Sequence, residues 1–532
     1  MRVTLTGHAG LFVEAGDTTV LCDPWFNPAY FGSWFPFPDN SPDAAGLDPE
    51  RIGSPTYLYV SHLHKDHFDP AWLAEHVDKR TTVLLPEFPF DELRDELEAI
   101  GFRRFVATTA GQRVVLDGVA VTIWTETTPS DGPLGDSALA IDDGTVRLLN
   151  QNDCRLTDMD PVVAAGPYDL HLLQFSGAIW YPMVYRLPPA EMDSVGAEKR
   201  ANQMRRALRY VETVGAPHVV PFAGPAAFLD DALFGLNDLH DDPTNIFVDQ
   251  PAFLRYLAEH GVGTGELMVA GSTADLAPGR FEVTHPAGEG HPDAIWADKE
   301  GYLRRYQARR RPQFEAALAA CPTDGPDLVE ALAAWWEPLL EGADRVCREL
   351  GEPVVLDMGE ESVVIDPVAR QVRRWKGESW GHLFALDPSL VRSLVARHVE
   401  DWVNELFLSC RFEAERVGPY NGTVFHFFKC LSPERMAYLE ASLRPRPRVA
   451  RGRLTDDEKA AEGETCVIGN YRVQRRCPHL GGDLARFGEA DGRVLTCTLH
   501  GWRFDMESGR CLTADRYHLD SQPASLDPST EG

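Results

Sequence analysis

The sequence has too few cysteines, too little positive charge and no apolar run long enough for several common classes of protein. Ten cysteines among 532 residues are too sparse for a disulfide scaffold, and they indicate a reducing compartment. The net charge of -30 argues against nucleic acid or an anionic membrane as a partner, because both are polyanions. No stretch of about 18 apolar residues occurs, which predicts no membrane span. The N-terminus enters strand-like alternation without a charged leader, so we predict a cytoplasmic protein.

The chain is too long for one hydrophobic core, and its patterns divide it into four segments. In residues 1–280, strand patterns alternate with helical ones, which predicts a layered α/β sandwich. Residues 285–442 combine helices with a few strands, and we predict an α+β domain of unknown role there. The Pro- and Arg-rich segment 443–464 is typical of a linker. The Gly-rich segment 465–525 predicts a small all-β domain.

Two closely spaced Cys/His pairs near the C-terminus are the strongest functional signal in the sequence. Cys477 and His479 form the first pair, and Cys497 and His500 form the second. Two thiolates can hold one iron of a [2Fe–2S] cluster and two imidazoles the other. A structural Cys2His2 zinc site is the alternative, but the glycines after each pair suit hairpin loops whose amides point at cluster sulfides. The stretch CTLHGWRFDMESGRC resembles Rieske ferredoxins and the Rieske domains of oxygenases, which implies a Rieske cluster on these four residues.

A second group of metal-ligand residues, HLHKDH, follows the apolar strand pattern of residues 57–60. His62 and His64 can share one metal, and Asp66 and His67 can serve a second. The pattern H-x-H-x-D-H resembles the metallo-β-lactamase superfamily, which implies an αββα sandwich over residues 1–280. That resemblance also implies a bridging carboxylate at the end of a later strand, where this chain has Asp153.

Two histidines that the superfamily resemblance implies are missing from this chain. Glu126 ends a strand where one is expected, and Ala223 stands near the last strand, where hydrolases commonly show the other. The opening LTGHAGLFVEAGDTTVLCDPWF is similar to the lactonase-like branch, so His8 either lines the site or is a hydrogen-bonded structural histidine. Carboxylates in place of imidazoles favour harder metals, and a face of two histidines and one carboxylate is how non-haem iron binds O2. We therefore predict one or two iron ions, with zinc as the alternative.

The helical pattern of residues 198–214 is basic within a very acidic chain. At helical spacing Met204, Leu208 and Val211 form a buried stripe, and the arginines face outward. The basic face is either solvated or an anchor for a phosphate or carboxylate of an anionic substrate.

A Rieske cluster passes single electrons and therefore needs an acceptor. The His62 group is the other candidate metal site in the sequence. A Rieske module and a metallo-β-lactamase-like domain on one chain are similar to the CMP-N-acetylneuraminate hydroxylases, and the segments SGAIWYPMVY and VVPFAG share that resemblance. In that family the Rieske module is N-terminal, whereas here it is C-terminal, and residues 285–442 are extra.

Together these patterns predict a Rieske-coupled non-haem iron monooxygenase that takes electrons from an NAD(P)H-linked reductase or a ferredoxin. The predicted ligands and catalytic residues of the iron site are His62, His64, Asp66, His67 and Asp153, with Glu126 as a further ligand. The substrate is a small anionic molecule or an amine, such as an amino-sugar nucleotide or a secondary-metabolite amine, that is hydroxylated or N-oxygenated with O2. The alternatives are a zinc-dependent hydrolase of the lactonase or phosphodiesterase type with a structural or redox-regulatory Rieske module, and an electron carrier or redox sensor.

Overall fold

Two β-sheets lie face to face in the first part of the chain in a computed structural model, which describes residues 1–127, 134–443, 465–514 and 517–524. The eight-stranded sheet has the spatial order Arg280–Thr284, Thr273–Ala277, Arg2–Gly7, Gly10–Ala15, Thr18–Cys22, Tyr57–Tyr59, Thr82–Leu85, Arg104–Ala107. The six-stranded sheet has the order His218–Phe222, Leu170–Gln174, Arg147–Asn152, Asp136–Asp142, Val119–Glu126, Arg113–Leu116. Each sheet is antiparallel on one side and parallel on the other.

Alternation along the strands places one face of each sheet in a shared core and the other under helices. Along the strand Val119–Glu126, Val121 and Ile123 pack between the sheets, whereas Trp124 packs on the outer side. The outer face of the eight-stranded sheet packs against helix residues that include Trp72 and Leu97. The order helix, sheet, sheet, helix confirms the predicted α/β sandwich.

Helices cover both outer faces of this sandwich. They are Pro42–Ala45, Pro49–Ile52, Pro70–His76, Glu92–Ala99, Asp160–Ala164, Pro189–Val214 and Gln250–Glu259, with a 3-10 turn at Phe234–Leu236. The helix Pro189–Val214, called the interface helix below, begins well before the predicted start at residue 198, because proline fits the first turn of a helix. A two-stranded ribbon joins Trp34–Phe35 to Ala227–Phe228.

The middle of the chain combines helices with a five-stranded sheet. Its strands have the order Gln371–Arg374, Val363–Asp366, Val354–Asp357, His382–Leu386, Phe412–Arg416. Its helices are Pro292–Ala297, Lys299–Ala319, Leu328–Glu341, Asp344–Leu350, Pro388–Arg397, Gly422–Phe428 and Pro433–Ser442, with 3-10 turns at Gly288–Gly290 and Gly359–Glu361 and a π-helical turn at Val403–Phe407. Tyr306 and Phe314 pack against Phe35 of the sandwich. The domain limits at 280 and 285 stay predictions, and this packing ties the first long middle helix to the preceding segment.

The C-terminal part forms two small antiparallel sheets. One contains Thr465–Ile468, Tyr471–Gln474 and Ser521–Pro523, and the other contains Gly488–Asp491, Val494–Cys497 and Trp502–Asp505, with a short helix at Leu484–Phe487. The predicted linker 443–464 lies outside the described residues except for its first residue. None of the helices in the described ranges combines the length and apolarity that crossing a bilayer requires.

Candidate metal centres

The segment His62–His67, called the metal loop below, follows the buried strand Tyr57–Tyr59 and turns back on itself. The backbone N–H of His67 donates to the carbonyl of His64 at 2.9 Å, and this turn brings the two ends of the loop together. The ring centroids of His62 and His67 are 4.2 Å apart, and those of His62 and His64 are 4.5 Å apart. The short motif thus gathers three imidazoles in one place.

The structure brings Asp153 to the metal loop, as the resemblance implies. Asp153 directly follows the strand Arg147–Asn152, and one ligand atom each from His62, His67 and Asp153 lie within 4.8 Å of one another. The Nε2 atoms of both histidines and Oδ1 of Asp153 are buried and make no hydrogen bond among the described residues, although His67 Nε2 lies 3.3 Å from Asp153 Oδ1. Buried polar atoms without hydrogen bonds are costly, so their convergence fits a metal ion.

His8 forms a second group with Asp66 and His67. Ligand atoms of these three residues also lie within 4.8 Å of one another, and His8 Nε2 is 3.0 Å from Asp66 Oδ2. His8 leaves the first strand with a left-handed φ of 49°, which turns its ring toward the loop. Each group therefore offers two histidines and one carboxylate.

Side chains around the metal loop hold its histidines in one orientation. The Nδ1 atom of His62 is 3.2 Å from Asp136 Oδ1, and that of His67 is 3.1 Å from Asp23 Oδ2. Ser61 Oγ lies within 3.1 Å of both Nδ1 atoms. A partner on Nδ1 leaves Nε2 to face the metal, which is the usual arrangement around metal-bound histidines. The sequence patterns did not predict a role for Asp23 or Asp136, although Asp23 lies in the opening stretch LTGHAGLFVEAGDTTVLCDPWF.

The carboxylates and histidines of the site shift one another's pKa values. Burial lowers the pKa of His67, but the carboxylates of Asp153, Asp66 and Asp23 outweigh it and raise that pKa to about 10. Burial raises the pKa of the Asp153 carboxyl, and the charges of His67 and His62 more than offset this, so the pKa lies below its ordinary value. The Asp153 carboxylate is thus ready to bind a cation at neutral pH.

Three residues that the sequence singles out lie outside the two groups of candidate ligands: Glu126, His64 and Ala223. The Glu126 carboxylate accepts hydrogen bonds from the N–H and hydroxyl of Thr157, both at 2.8 Å, and Glu126 belongs to neither group. His64 lies beside His62 without joining a group. Ala223 is fully buried, and its N–H donates to the carbonyl of His8. The roles of Glu126 and His64 as ligands stay predictions.

The two Cys/His pairs form two matching loops in the C-terminal module. The N–H of Gly481 donates to the carbonyl of Cys477 at 2.9 Å, and that of Gly501 donates to the carbonyl of Cys497 at 2.8 Å. Hydrogen bonding with the Cys497 thiol lowers the pKa of Cys477, so the two sulfurs face each other. The ring centroids of His479 and His500 are 5.2 Å apart. Two thiols on one side and two imidazoles on the other fit a cluster with one iron at each end.

This module packs on the interface helix, on the same side of the sandwich as Asp153. Tyr210 of the helix meets the ring of Phe487 at 5.1 Å, and both belong to a hydrophobic cluster that continues into the six-stranded sheet. Arg209 Nη2 pairs with Glu489 at 2.9 Å, and Arg206 Nη1 donates to the carbonyl of Leu499 at 3.4 Å. The outward orientation predicted for the arginines is wrong for Arg206, which is 6% exposed, because the helix is covered on two sides.

The middle part of the chain contacts the metal loop directly. Asn404, in the π-helical turn, donates through Nδ2 to the carbonyl of Leu63 at 2.9 Å and accepts through Oδ1 from the N–H of Lys65 at 3.3 Å. The Asn404 amide thus spans the backbone on both sides of His64. The Lys65 ammonium also pairs with Glu405.

The sandwich, its two groups of candidate metal ligands and the Cys/His loops define a metallo-β-lactamase-fold protein with a C-terminal Rieske domain. A family model described as "Rieske [2Fe-2S] domain" matches residues 462–520, and one described as "Rv3818-like, SCP2-like domain" matches residues 328–444. The chain is 44% identical over 530 residues to "Putative Rieske 2Fe-2S iron-sulfur protein Rv3818" of Mycobacterium tuberculosis, covering 98% of this chain and 99% of that one. The chain therefore belongs to the family of these Rieske 2Fe-2S iron-sulfur proteins.

Shorter likenesses cover parts of the chain. A UPF0173 metal-dependent hydrolase of Cereibacter sphaeroides is 29% identical over 126 residues, 23% of this chain and 46% of that one. The cytidine monophosphate-N-acetylneuraminic acid hydroxylase of Asterias rubens is 33% identical over 70 residues, 13% of this chain and 10% of that one. Among solved structures, CmlA, a diiron β-hydroxylase from Streptomyces venezuelae, is 20% identical with a TM-score of 0.33, covering 54% of each chain.

Proposed function

We propose that this protein is an iron-dependent oxygenase in which the Rieske cluster supplies electrons to a non-haem iron site on the metal loop. The observation that carries the proposal is the position of the Arg206 side chain. It donates to the carbonyl of Leu499, next to His500, and it is near enough to the Asp153 carboxylate for that charge to raise its pKa, although burial lowers the pKa more. A one-electron carrier placed this close to a buried group of metal ligands supports a redox role for the second site.

The donors of the metal loop can be divided into two sets. His67 stands in both groups of the structure, yet its single Nε2 atom can bind one metal at a time. Two ions are accommodated when His64 completes the first set. The first set is then His62, His64 and Asp153, and the second is His8, Asp66 and His67. Each set would hold one iron ion with two histidines and one carboxylate, and the chemistry that such an ion would supply is the activation of O2.

The proposed reaction consumes one O2 and two electrons in each cycle. The electrons would come from NAD(P)H through a reductase or a ferredoxin. Cys477, His479, Cys497 and His500 would hold the cluster that accepts them one at a time. One oxygen atom enters a C–H or N–H bond of the substrate. The other leaves as water after taking up two protons, so atoms and electrons balance.

The substrate class is a small anionic molecule or an amine. An amino-sugar nucleotide is one candidate, supported by the 70-residue likeness to the cytidine monophosphate-N-acetylneuraminic acid hydroxylase. A secondary-metabolite amine is the other.

A metal-dependent hydrolase is the second candidate function. Its support is the likeness of 126 residues to a UPF0173 metal-dependent hydrolase. Two histidines and one carboxylate also suit zinc, which would activate water without any change of redox state. The Rieske module would then be structural or regulatory.

Metal analysis of the full-length protein separates the two functions. The oxygenase predicts about four irons per chain, of which two belong to the cluster. Removal of a ligand by His62→Ala or Asp153→Ala should release the iron of the first set and abolish NAD(P)H-dependent O2 consumption, while the Rieske EPR signal persists. Asp17→Ala, an exposed residue in a turn of the same sheet, is the matched control and should change neither.

The isotope content of the product gives the decisive comparison. Turnover should stop under argon, and a product formed under labelled O2 should carry the label. Equal turnover without O2, or zinc in place of the additional iron, would assign the hydrolase function instead.

A further inference from the structure

Three cations beside the Rieske loop have no acidic partner. Within the described ranges, no carboxylate lies within ion-pair distance of Arg155, Lys199 or Arg206. Their neighbours on the interface helix are paired, because Arg200 binds Asp238 and Arg209 binds Glu489.

The three cations face the same space. Lys199 and Arg206 are seven residues apart, so they lie on one face of the interface helix. Asn202, between them on this face, donates to the carbonyl of Thr498 at 3.3 Å, two residues before His500. Arg155 approaches from the strand side, where Tyr210 of the helix donates to the carbonyl of Leu156 at 2.9 Å.

The lowered pKa values of Lys199 and Arg206 are consistent with positive charges that lie close to one another. Burial, together with the charges of Arg155 and Arg206, lowers the pKa of Lys199 to about 8. Burial and the Arg155 charge lower the pKa of Arg206 to about 9. The same three cations also act on His500.

Such an arrangement is unfavourable unless an anion completes it. Arg206 is 6% exposed, and the charge of Asp153, which lies beyond ion-pair distance, does not offset its burial and the nearby Arg155 charge. A buried charge without a close counter-charge destabilises the folded protein. Lys199 and Arg155 are half-buried, so the cluster remains open to solvent on one side. The ring of Tyr181, 5.9 Å from the Lys199 ammonium, provides an aromatic wall beside it.

We propose that Arg155, Lys199 and Arg206 bind an anionic group, a phosphate or a carboxylate, of the substrate and hold it between the Rieske loop and Asp153. Guanidinium groups bind both anions bidentately, and the lysine adds a point charge. The assignment of the ligand as a substrate rests on the proposed oxygenase function, whereas the anion site itself does not. Such a site would favour anionic substrates over simple amines.

The test is anion binding to the full-length protein with its oxidised cluster. Inorganic phosphate is one probe and malonate is the other, and they distinguish a phosphate site from a carboxylate site. Calorimetry should show saturable binding of at least one probe. Because the anion adds negative charge beside His500, it should also lower the reduction potential of the cluster.

Matched variants localise the binding. Lys199→Gln and Arg155→Gln should each weaken it about tenfold, because each removes a charge-assisted contact. Arg209→Gln, on the same helix but paired with Glu489, is the control and should leave the affinity unchanged. Unchanged Rieske absorbance establishes that the variants are folded.

The proposal is wrong if neither probe binds saturably, or if Arg209→Gln weakens binding as much as Lys199→Gln does. No O2 and no reductase enter these measurements. If the protein binds the anion but does not consume O2, the anion site is supported and the oxygenase function is wrong. If it consumes O2 but binds neither anion, the anion site is wrong and the oxygenase function is supported.

Discussion

His171 lies fully buried on the strand Leu170–Gln174, and its Nε2 atom is 2.9 Å from the side-chain oxygen of Gln151. Burial lowers the pKa of this histidine to about 3. In the unfolded chain the pKa is about 6.5, so between these values the unfolded state binds a proton that the native state does not. The stabilising contribution of the neutral imidazole is therefore complete above pH 6.5 and is lost as the pH falls.

We expect this histidine alone to reduce the free energy of unfolding by about 1.4 kcal/mol for each pH unit below about 6.5. Urea unfolding of the full-length protein at several values between pH 7 and pH 5 measures the slope. His171→Gln should flatten the slope by about one proton. The exposed His240 provides the control, and His240→Gln should not change the slope. Equal slopes for both variants would exclude the explanation.

At the scale of single residues, the sequence predicts those candidate metal ligands that are close together in the chain. The six residues of the metal loop are enough to predict that His62 and His67 lie near each other, because one turn brings them together. The supporting residues Asp23 and Asp136 could not be predicted with the same ease. An aspartate at a strand end is common, and its hydrogen bond to a histidine of the metal loop leaves no mark in the local pattern.

At the scale of elements, the π-helical turn Val403–Phe407 links the middle part of the chain to the metal loop. Asn404→Ala would remove two hydrogen bonds from the backbone around His64. We expect metal affinity at the N-terminal site to fall about tenfold, because loss of a supporting hydrogen bond typically costs this much. The Rieske signal should stay unchanged. Competition with a chelator measures the affinity.

Asn421→Ala is the control for this prediction. Asn421 also bonds backbone carbonyls, those of Glu349 and Leu350, and it caps the helix Gly422–Phe428. Its loss should lower stability without an effect on metal affinity. If both variants hold the metal equally well, Asn404 does not support the site.

The interface helix shows where prediction from helical periodicity ends. Leu208 and Val211 are buried, as the apolar stripe predicts. The burial of Arg200 and Arg206 could not be read from the same pattern. The apolar stripe predicts packing against one surface, the sheet. The helix also packs against the Rieske module, which lies almost 300 residues further along the chain.

At the scale of the whole molecule, a joint hydrophobic cluster and ion pairs fix the Rieske module on the sandwich. Glu489→Arg would place a third positive charge beside Arg205 and Arg209. The side chains of Arg209 and Glu489 are 35% and 29% exposed, so we expect a loss of only about 1 kcal/mol of docking free energy. Hydrogen exchange of the interface helix measures this loss as faster exchange.

The exchanged pair provides the control for docking. Arg209→Glu combined with Glu489→Arg restores one opposite-charge contact and should recover most of the protection. If the protection against hydrogen exchange is not recovered, the ion pair does not contribute to docking. This arrangement of modules could not be predicted from the sequence, because its contacts join surfaces whose local patterns are ordinary.

The fixed Rieske module has a kinetic consequence. When donor and acceptor share one chain and one packed interface, transfer between them is a first-order step that does not depend on protein concentration. Under the proposed function, diffusion then limits only the encounter with the external electron donor. Because the protein carries a net charge of -30, that encounter should be fastest with a partner that presents a basic patch, and it should slow as the ionic strength rises.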